Sequence, residues 1–128
     1  MAVTKILARH GKVDTGIRYI LKEDKTMDRL LTTGQRCTPE YAADRMRKTK
    51  ERYRQTGGVQ YYHLIQSFQP GEVTPELALE LAKGFAAEYL PGNEVVIGTH
   101  TDRCHIHSHI LFNSVNAQTG CAGSTGCP

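Results

Sequence analysis

The chain has few of the features that mark secreted and membrane proteins. In its 128 residues no apolar stretch approaches membrane-span length, which is roughly 20 residues for a helix. The N-terminal segment MAVTKILARHGK has no apolar core of the kind found in signal peptides. The hydrophobic fraction is 39% and the mean hydropathy is −0.44. Composition therefore predicts one small globular domain in the cytoplasm, without a membrane partner.

Cysteine motifs and a strong overall charge are also missing. The four cysteines are scattered, and no Cys-x-x-Cys pair occurs. This spacing provides neither a zinc knuckle nor an obvious disulfide framework. The net charge is only +3, so the distribution of charge is more informative than its sum.

Histidine, in contrast, is concentrated near the end of the chain. Four of the six histidines fall within ten residues, and they are His100, His105, His107 and His109. Three of them alternate along a predicted strand, so their side chains would project to one face. His100 ends the preceding apolar run, and a short turn would bring it over the same face. Such a cluster predicts a site for a divalent metal, whereas the isolated His10 and His63 are interpreted as ordinary polar residues.

The apolar patterns predict five strands and three helices. The strands are 2–8, 29–33, 59–68, 94–100 and 105–114, and the helices begin near Asp14, at Thr38-Pro39 and at Thr74-Pro75. This order favours an α+β fold, a mostly antiparallel sheet with helices packed on one face and the histidines on the other. Residues 1–116 would form the domain. The glycine-rich residues 117–128 are predicted to be a disordered tail.

The second predicted helix is basic. Residues 44–54 contain six lysines or arginines and two acidic residues. A basic helix beside a metal site favours a phosphate backbone as substrate, so we expect Arg45, Lys48 and Arg52 to bind DNA. A solvated helix face is an equally good interpretation of this pattern alone.

Three segments resemble the motifs of relaxases, the mobilization nucleases of conjugative and mobilizable elements. Residues 99–115 (THTDRCHIHSHILFNSV) resemble the histidine motif of the superfamily named for its His-hydrophobic-His pair. Residues 63–72 (HLIQSFQPGE) resemble the strand and turn before it, and Arg18-Tyr19-Ile20 resembles the nucleophile motif. The resemblance covers residues 2–116, and three motifs in the expected order make it specific.

The resemblance implies a DNA-nicking enzyme that starts plasmid transfer. Tyr19 would attack a phosphodiester of single-stranded DNA at an origin of transfer, leaving a 5′-phosphotyrosyl bond and a free 3′-hydroxyl. Three histidines would hold Mg²⁺ or Mn²⁺, which would polarise the scissile phosphate. Asp102 would orient a ligand histidine or accept the tyrosine proton. Accessory proteins of the relaxosome are the expected partners.

The identity of the three ligands depends on how the motif is aligned. Alignment through Asn113 implies His100, His107 and His109. The literal string His105-Ile106-His107 offers His105 as a substitute, and a tight turn would place His100 nearest to it.

Other functions remain open from the sequence. A rolling-circle replication initiator is disfavoured because its tyrosine usually follows the histidines, and no tyrosine follows His109. A non-catalytic DNA-binding module would use the metal for structure only, and a hydrolase would use metal-bound water. Relaxase domains usually continue past the asparagine of the motif, so a truncated, inactive relaxase fragment is a further alternative.

Overall fold

The computed structural model describes residues 3–22, 26, 31–101 and 105–122. Within them the chain forms five strands and three helices, as the sequence predicts. In chain order these are β1 (Val3–Arg9), α1 (Val13–Ile20), β2 (Thr32–Gln35), α2 (Ala42–Arg52), β3 (Tyr61–Phe68), α3 (Pro75–Tyr89), β4 (Val95–His100) and β5 (Ile106–Asn113). In this described part, no helix combines the length and the apolar character needed to cross a membrane.

The five strands form one sheet in the order β1-β3-β5-β4-β2, and every neighbouring pair is antiparallel. The last strand of the chain, β5, therefore lies in the centre. Its neighbour β4 begins with the apolar run Val95–Gly98, and all six of its residues are buried, which is typical of a strand covered on both faces.

Helices cover both faces of the sheet, so the predicted packing on one face is wrong. On one face α3 packs against Leu64, Ile110 and Phe112. On the opposite face α1 and α2 pack against Val96 and Leu111. We call these the α3 core and the α1/α2 core. Since successive residues of a strand point to opposite faces, β4 and β5 contribute to both cores.

The helix starts differ in how well the local sequence predicts them. Thr74 caps α3 as expected, because its hydroxyl accepts a hydrogen bond from Leu77 N at 3.1 Å. The helix predicted to begin near Asp14 begins at Val13, so Asp14 lies inside the first turn of α1, where it accepts a hydrogen bond from Arg47 at 2.6 Å. The helix predicted from Thr38-Pro39 begins only at Ala42.

The segment 117–122, which the sequence places at the start of the predicted tail, contacts the domain. Ala117 N donates to Gly92 O at 2.9 Å, and Val115 forms a β-bridge with Ala122. Gly120 lies close to the ring of Tyr53. The remaining residues of the predicted tail, 123–128, lie outside the described residues.

Candidate active site

The hairpin of β4 and β5 places the clustered histidines on one face of the sheet. His100 on β4 pairs directly with His107 on β5. His109 lies two residues further along β5 and projects to the same side. This register corrects the expectation that His100 lies nearest His105, which is exposed and directly precedes β5. We call the side that carries His100, His107 and His109 the histidine face.

Two of these imidazoles are buried and hydrogen bonded. His100 is 2% exposed, and its Nε2 lies 3.0 Å from the backbone oxygen of Ile20. Since a carbonyl oxygen can only accept, Nε2 of His100 donates this bond. His109 is 5% exposed, and its Nδ1 lies 2.8 Å from Nε2 of His63. The ring centroids of His100 and His109 are 4.1 Å apart.

The helix α1 brings Tyr19 to these imidazoles. Its apolar residues Ile17 and Ile20 are buried in the α1/α2 core, while Tyr19 is 39% exposed. The centroid of the Tyr19 ring lies 5.4 Å from that of His100 and 5.5 Å from that of His109. A phenol thus lies against the histidine face, as the covalent chemistry implied by the resemblance requires.

A cavity of about 720 Å³ opens beside Tyr19. Aromatic, basic and imidazole side chains contribute to its wall, together with Gly11, Gly16 and residues of β1 and β3. Those side chains include Arg9, His10, Tyr19, Tyr61, His63 and His109. The cavity is large enough to receive part of a substrate next to the tyrosine.

The chain matches the family described as "Relaxase: MobA/VirD2-like, nuclease domain" over residues 19–125. The chain belongs to this family. The match begins at Tyr19 and includes β4 and β5, the strands that carry the histidine face. The predicted relaxase membership is confirmed.

Curated proteins from two bacterial species are similar to this relaxase domain. Two proteins named Protein rlx from Staphylococcus aureus are 45% identical over 124 residues and 37% identical over 120 residues. The group II intron-interrupted relaxase LtrB of Lactococcus lactis is 38% identical over 129 residues. These alignments cover 94%, 94% and 80% of the chain, but only 36%, 36% and 23% of the relatives. The chain thus spans about a third or less of their length.

The predicted metal ligands share a face but do not converge in this relaxase domain. The ring centroid of His107 lies 6.4 Å from that of His109, compared with 4.1 Å between His100 and His109. Among the described residues, no group of three or more His, Cys, Asp or Glu side chains is arranged to hold a metal ion. Asp102, the predicted orienting or proton-accepting residue, lies outside the described residues.

The three residues predicted to bind DNA lie around one cavity. Arg45, Lys48 and Arg52 on α2 line a space of about 290 Å³ together with Arg36. Glu94 lines it too and is 2% exposed; its carboxylate accepts a hydrogen bond from Thr49 at 2.8 Å. The cavity therefore has a rim of four cations around one buried, hydrogen-bonded carboxylate, and this leaves an excess of positive charge.

His63 is part of the histidine cluster, although the sequence analysis treated it as an ordinary polar residue. It is 8% exposed, and its ring centroid lies 5.0 Å from that of His109 and 6.3 Å from that of Tyr19. Burial, and then the positive charge of Arg9, lower the pKa of His63 to about 4. The sequence contained one indication of this role, because His63 lies within the predicted strand VQYYHLIQSF. An imidazole that is buried in such a strand needs a hydrogen-bonding partner.

Proposed function

We propose that this domain nicks one strand of DNA through covalent catalysis by Tyr19. The observation that carries the proposal is the position of the Tyr19 ring, 5.4–6.3 Å from the rings of His100, His109 and His63. A phenol that is partly exposed beside buried imidazoles can reach a substrate and remain close to groups that exchange protons. The catalytic unit in this proposal is residues 1–116.

In the proposed reaction, the phenolic oxygen of Tyr19 attacks a DNA phosphorus atom. The new O–P bond forms a 5′-phosphotyrosyl ester as the bond from phosphorus to the 3′ oxygen breaks. The phenol proton passes to a base on the protein, and the leaving 3′ oxygen takes up a proton to become a hydroxyl. The number of phosphate ester bonds is unchanged, so the reverse reaction can rejoin the strand. We propose Asp102 as the proton acceptor or as a residue that orients a histidine.

We propose that His100, His107 and His109 hold Mg²⁺ or Mn²⁺, with His105 as the substitute ligand. The hydrogen bonds of two of these residues fit this role. Ligand histidines usually have one ring nitrogen held by an outer partner, and both His100 and His109 have such a contact. When bound, the metal would polarise the scissile phosphate and offset the charge that develops on it. His107 would have to turn toward the other two rings.

The proposed substrate is single-stranded DNA at an origin of transfer, and the proposed role is the start of DNA mobilization together with accessory relaxosome proteins. The cavity beside Tyr19 has cationic and aromatic walls, which suit a phosphate backbone with unstacked bases. Arg45, Lys48 and Arg52 supply further positive charge on α2, a helix that packs on the same face of the sheet as α1. These residues would bind the DNA backbone rather than read its sequence.

The proposal is tested by a covalent-adduct assay. The protein is incubated with Mn²⁺ and single-stranded oligonucleotides that tile the origin region of the element encoding it, and the products are separated on a denaturing gel. A label at the 3′ end of the oligonucleotide reports the adduct, because the 5′-phosphate of that fragment becomes bound to tyrosine. A label at the 5′ end reports the free fragment that ends in a 3′-hydroxyl.

We expect a metal-dependent adduct that is lost in Tyr19→Phe. Tyr89→Phe is the matched control, because Tyr89 is 65% exposed on α3, the helix on the other face. Cleavage without an adduct would replace this proposal with a hydrolase that uses metal-bound water. Metal binding and DNA binding without cleavage by the wild type would favour a DNA-binding module or an inactive fragment.

A further inference from the structure

His63 contacts His109 through a defined pair of ring nitrogens. Nε2 of His63 lies 2.8 Å from Nδ1 of His109. The two residues are on neighbouring strands, and His63 pairs with Leu111, which follows His109 by two positions. The contact is therefore a diagonal one across β3 and β5, on the face that also carries Tyr19.

The contact limits the direction from which a metal ion could approach His109. In this ring orientation Nδ1 faces His63, so a metal bound by His109 would have to approach Nε2. Binding through Nε2 requires its lone pair, which places the proton of a neutral imidazole on Nδ1. His109 would then donate from Nδ1, and Nε2 of His63 would accept.

We propose that His63 is a positioning residue that fixes the ring orientation and the tautomer of His109 for metal binding. The inference rests on the proposed function, since it concerns the metal site named there. His63 holds one ring nitrogen of His109, just as the backbone oxygen of Ile20 holds Nε2 of His100. In both cases one ring nitrogen is held by the protein and the ring edge opposite is presented to the metal. His63 itself does not bind the metal.

The burial of both rings makes this arrangement rigid. His63 and His109 are 8% and 5% exposed, so water competes poorly for their hydrogen bond. His63 also lies between β1 and β5 in the sheet, because β3 pairs with both strands. Its backbone position is therefore fixed on two sides, which is the property required of an outer partner for a metal ligand.

The first test measures metal affinity without any catalytic readout. Mn²⁺ dissociation constants are determined by calorimetry for the wild type, His63→Leu and His63→Gln, with thermal unfolding to verify that each variant is folded. Loss of an outer partner typically weakens metal binding about 10–100-fold, so we expect this loss in His63→Leu. His63→Gln should recover part of the affinity, because an amide can still accept a hydrogen bond from Nδ1. The control is His10→Leu, since His10 lines the same cavity and is exposed.

The second test needs no variant. Long-range ¹H–¹⁵N correlation spectra of the wild type with Mg²⁺ identify the protonated nitrogen of His109, and we expect Nδ1–H. Protonation at Nε2 would overturn the inference, as would equal Mn²⁺ affinity in His63→Leu and the wild type. If the wild type bound neither Mg²⁺ nor Mn²⁺, the proposed metal site itself would be wrong. If the wild type bound Mn²⁺ and His63→Leu bound it equally well, only the role of His63 would be wrong.

Discussion

The imidazole of His100 donates a hydrogen bond from Nε2 to the backbone oxygen of Ile20, 3.0 Å away. Ile20 is the last residue of α1 and directly follows Tyr19. The bond therefore ties the end of the helix that carries the proposed nucleophile to the strand that carries a proposed metal ligand. Gly98 lies two residues before His100, and a Cβ added there would overlap the same oxygen of Ile20. The close approach of α1 to β4 requires glycine at this position.

The first prediction concerns Gly98→Ala. The added methyl group should push the end of α1 away from β4 and move Tyr19 off the histidine face. Overpacking of this kind typically costs about 1–3 kcal/mol of unfolding free energy. A displacement of roughly 1 Å at a reacting group can cost on the order of 100-fold in rate. We expect losses of this size in urea unfolding and in the initial rate of adduct formation.

Gly84→Ala is the matched control for this prediction. Gly84 lies within α3, and a Cβ there would meet open space. Alanine should therefore raise the unfolding free energy by about 0.5–1 kcal/mol and leave the rate of adduct formation unchanged. If Gly98→Ala reacted as fast as the wild type, the close contact of α1 with β4 would not position Tyr19.

The second prediction concerns the basic residues of α2. Replacement of Arg45, Lys48 and Arg52 together by Gln should weaken binding of a single-stranded oligonucleotide in metal-free buffer. Each phosphate contact contributes about 0.7 to the slope of log K against log salt concentration, so the slope should decrease in magnitude by about 2. Fluorescence anisotropy at several salt concentrations measures it. Lys83→Gln on α3 is the control, since Lys83 is exposed on the opposite face and pairs with Glu80. An unchanged slope in the triple variant would place the DNA elsewhere.

The third prediction concerns Lys50, a buried cation of α2. Lys50 is 3% exposed, and within the described residues its Nζ has no hydrogen-bonding partner. Burial lowers the pKa of Lys50 to about 8, although the negative charge of Glu94 opposes the shift. Between this value and the ordinary lysine pKa of about 10.4, the unfolded chain binds more protons than the folded one. The unfolding free energy should therefore increase as the pH rises through that window.

Lys50→Met removes the buried charge, and with it the pH dependence of the unfolding free energy that this charge causes. We expect the variant to be more stable than the wild type at pH 7 by about 1–3 kcal/mol, the usual cost of an unsatisfied buried polar group. The difference should shrink toward pH 10.5, where the wild-type amine is neutral. Urea unfolding at a series of pH values measures this, with the exposed neighbour Lys48→Met as control. Parallel stability curves for the wild type and Lys50→Met would contradict the assignment.

Local sequence patterns predicted the elements well because they are set by local chemistry. Thr74-Pro75 marks the start of α3, since the threonine hydroxyl can accept from the first turn and proline fits there without a donor. The alternation of His105, His107 and His109 predicted their common side, because a strand has a period of two residues. The resemblance to relaxases also predicted that Tyr19 lies near these histidines. The periodicity of a helix or a strand cannot predict such a contact, because the residues are far apart in the sequence.

Packing across the sheet was predicted less well because it depends on distant residues. On α3 the large apolar residues Leu77, Leu81 and Tyr89 are exposed, whereas the alanines 78, 82 and 86 face the core. Small residues allow the helix to lie close to the sheet, a requirement that is not visible in the helix sequence alone. The continuous apolar run Val95–Gly98 at the start of β4 is itself a sequence signal for helices on both faces.

The central position of β5 determines when the proposed active site can exist during synthesis. Before residues 106–113 leave the ribosome, the other strands can pair only as β1 with β3 and β2 with β4. Tyr19 is made well before its histidine partners, and at about 5–20 residues per second the interval between residues 19 and 106 is roughly 4–17 s. A nascent chain in that interval contains the proposed nucleophile and lacks His107 and His109, two of the three proposed metal ligands. The proposed active site can therefore form only after β5 has been translated, which separates synthesis of the proposed nucleophile from its first opportunity to react.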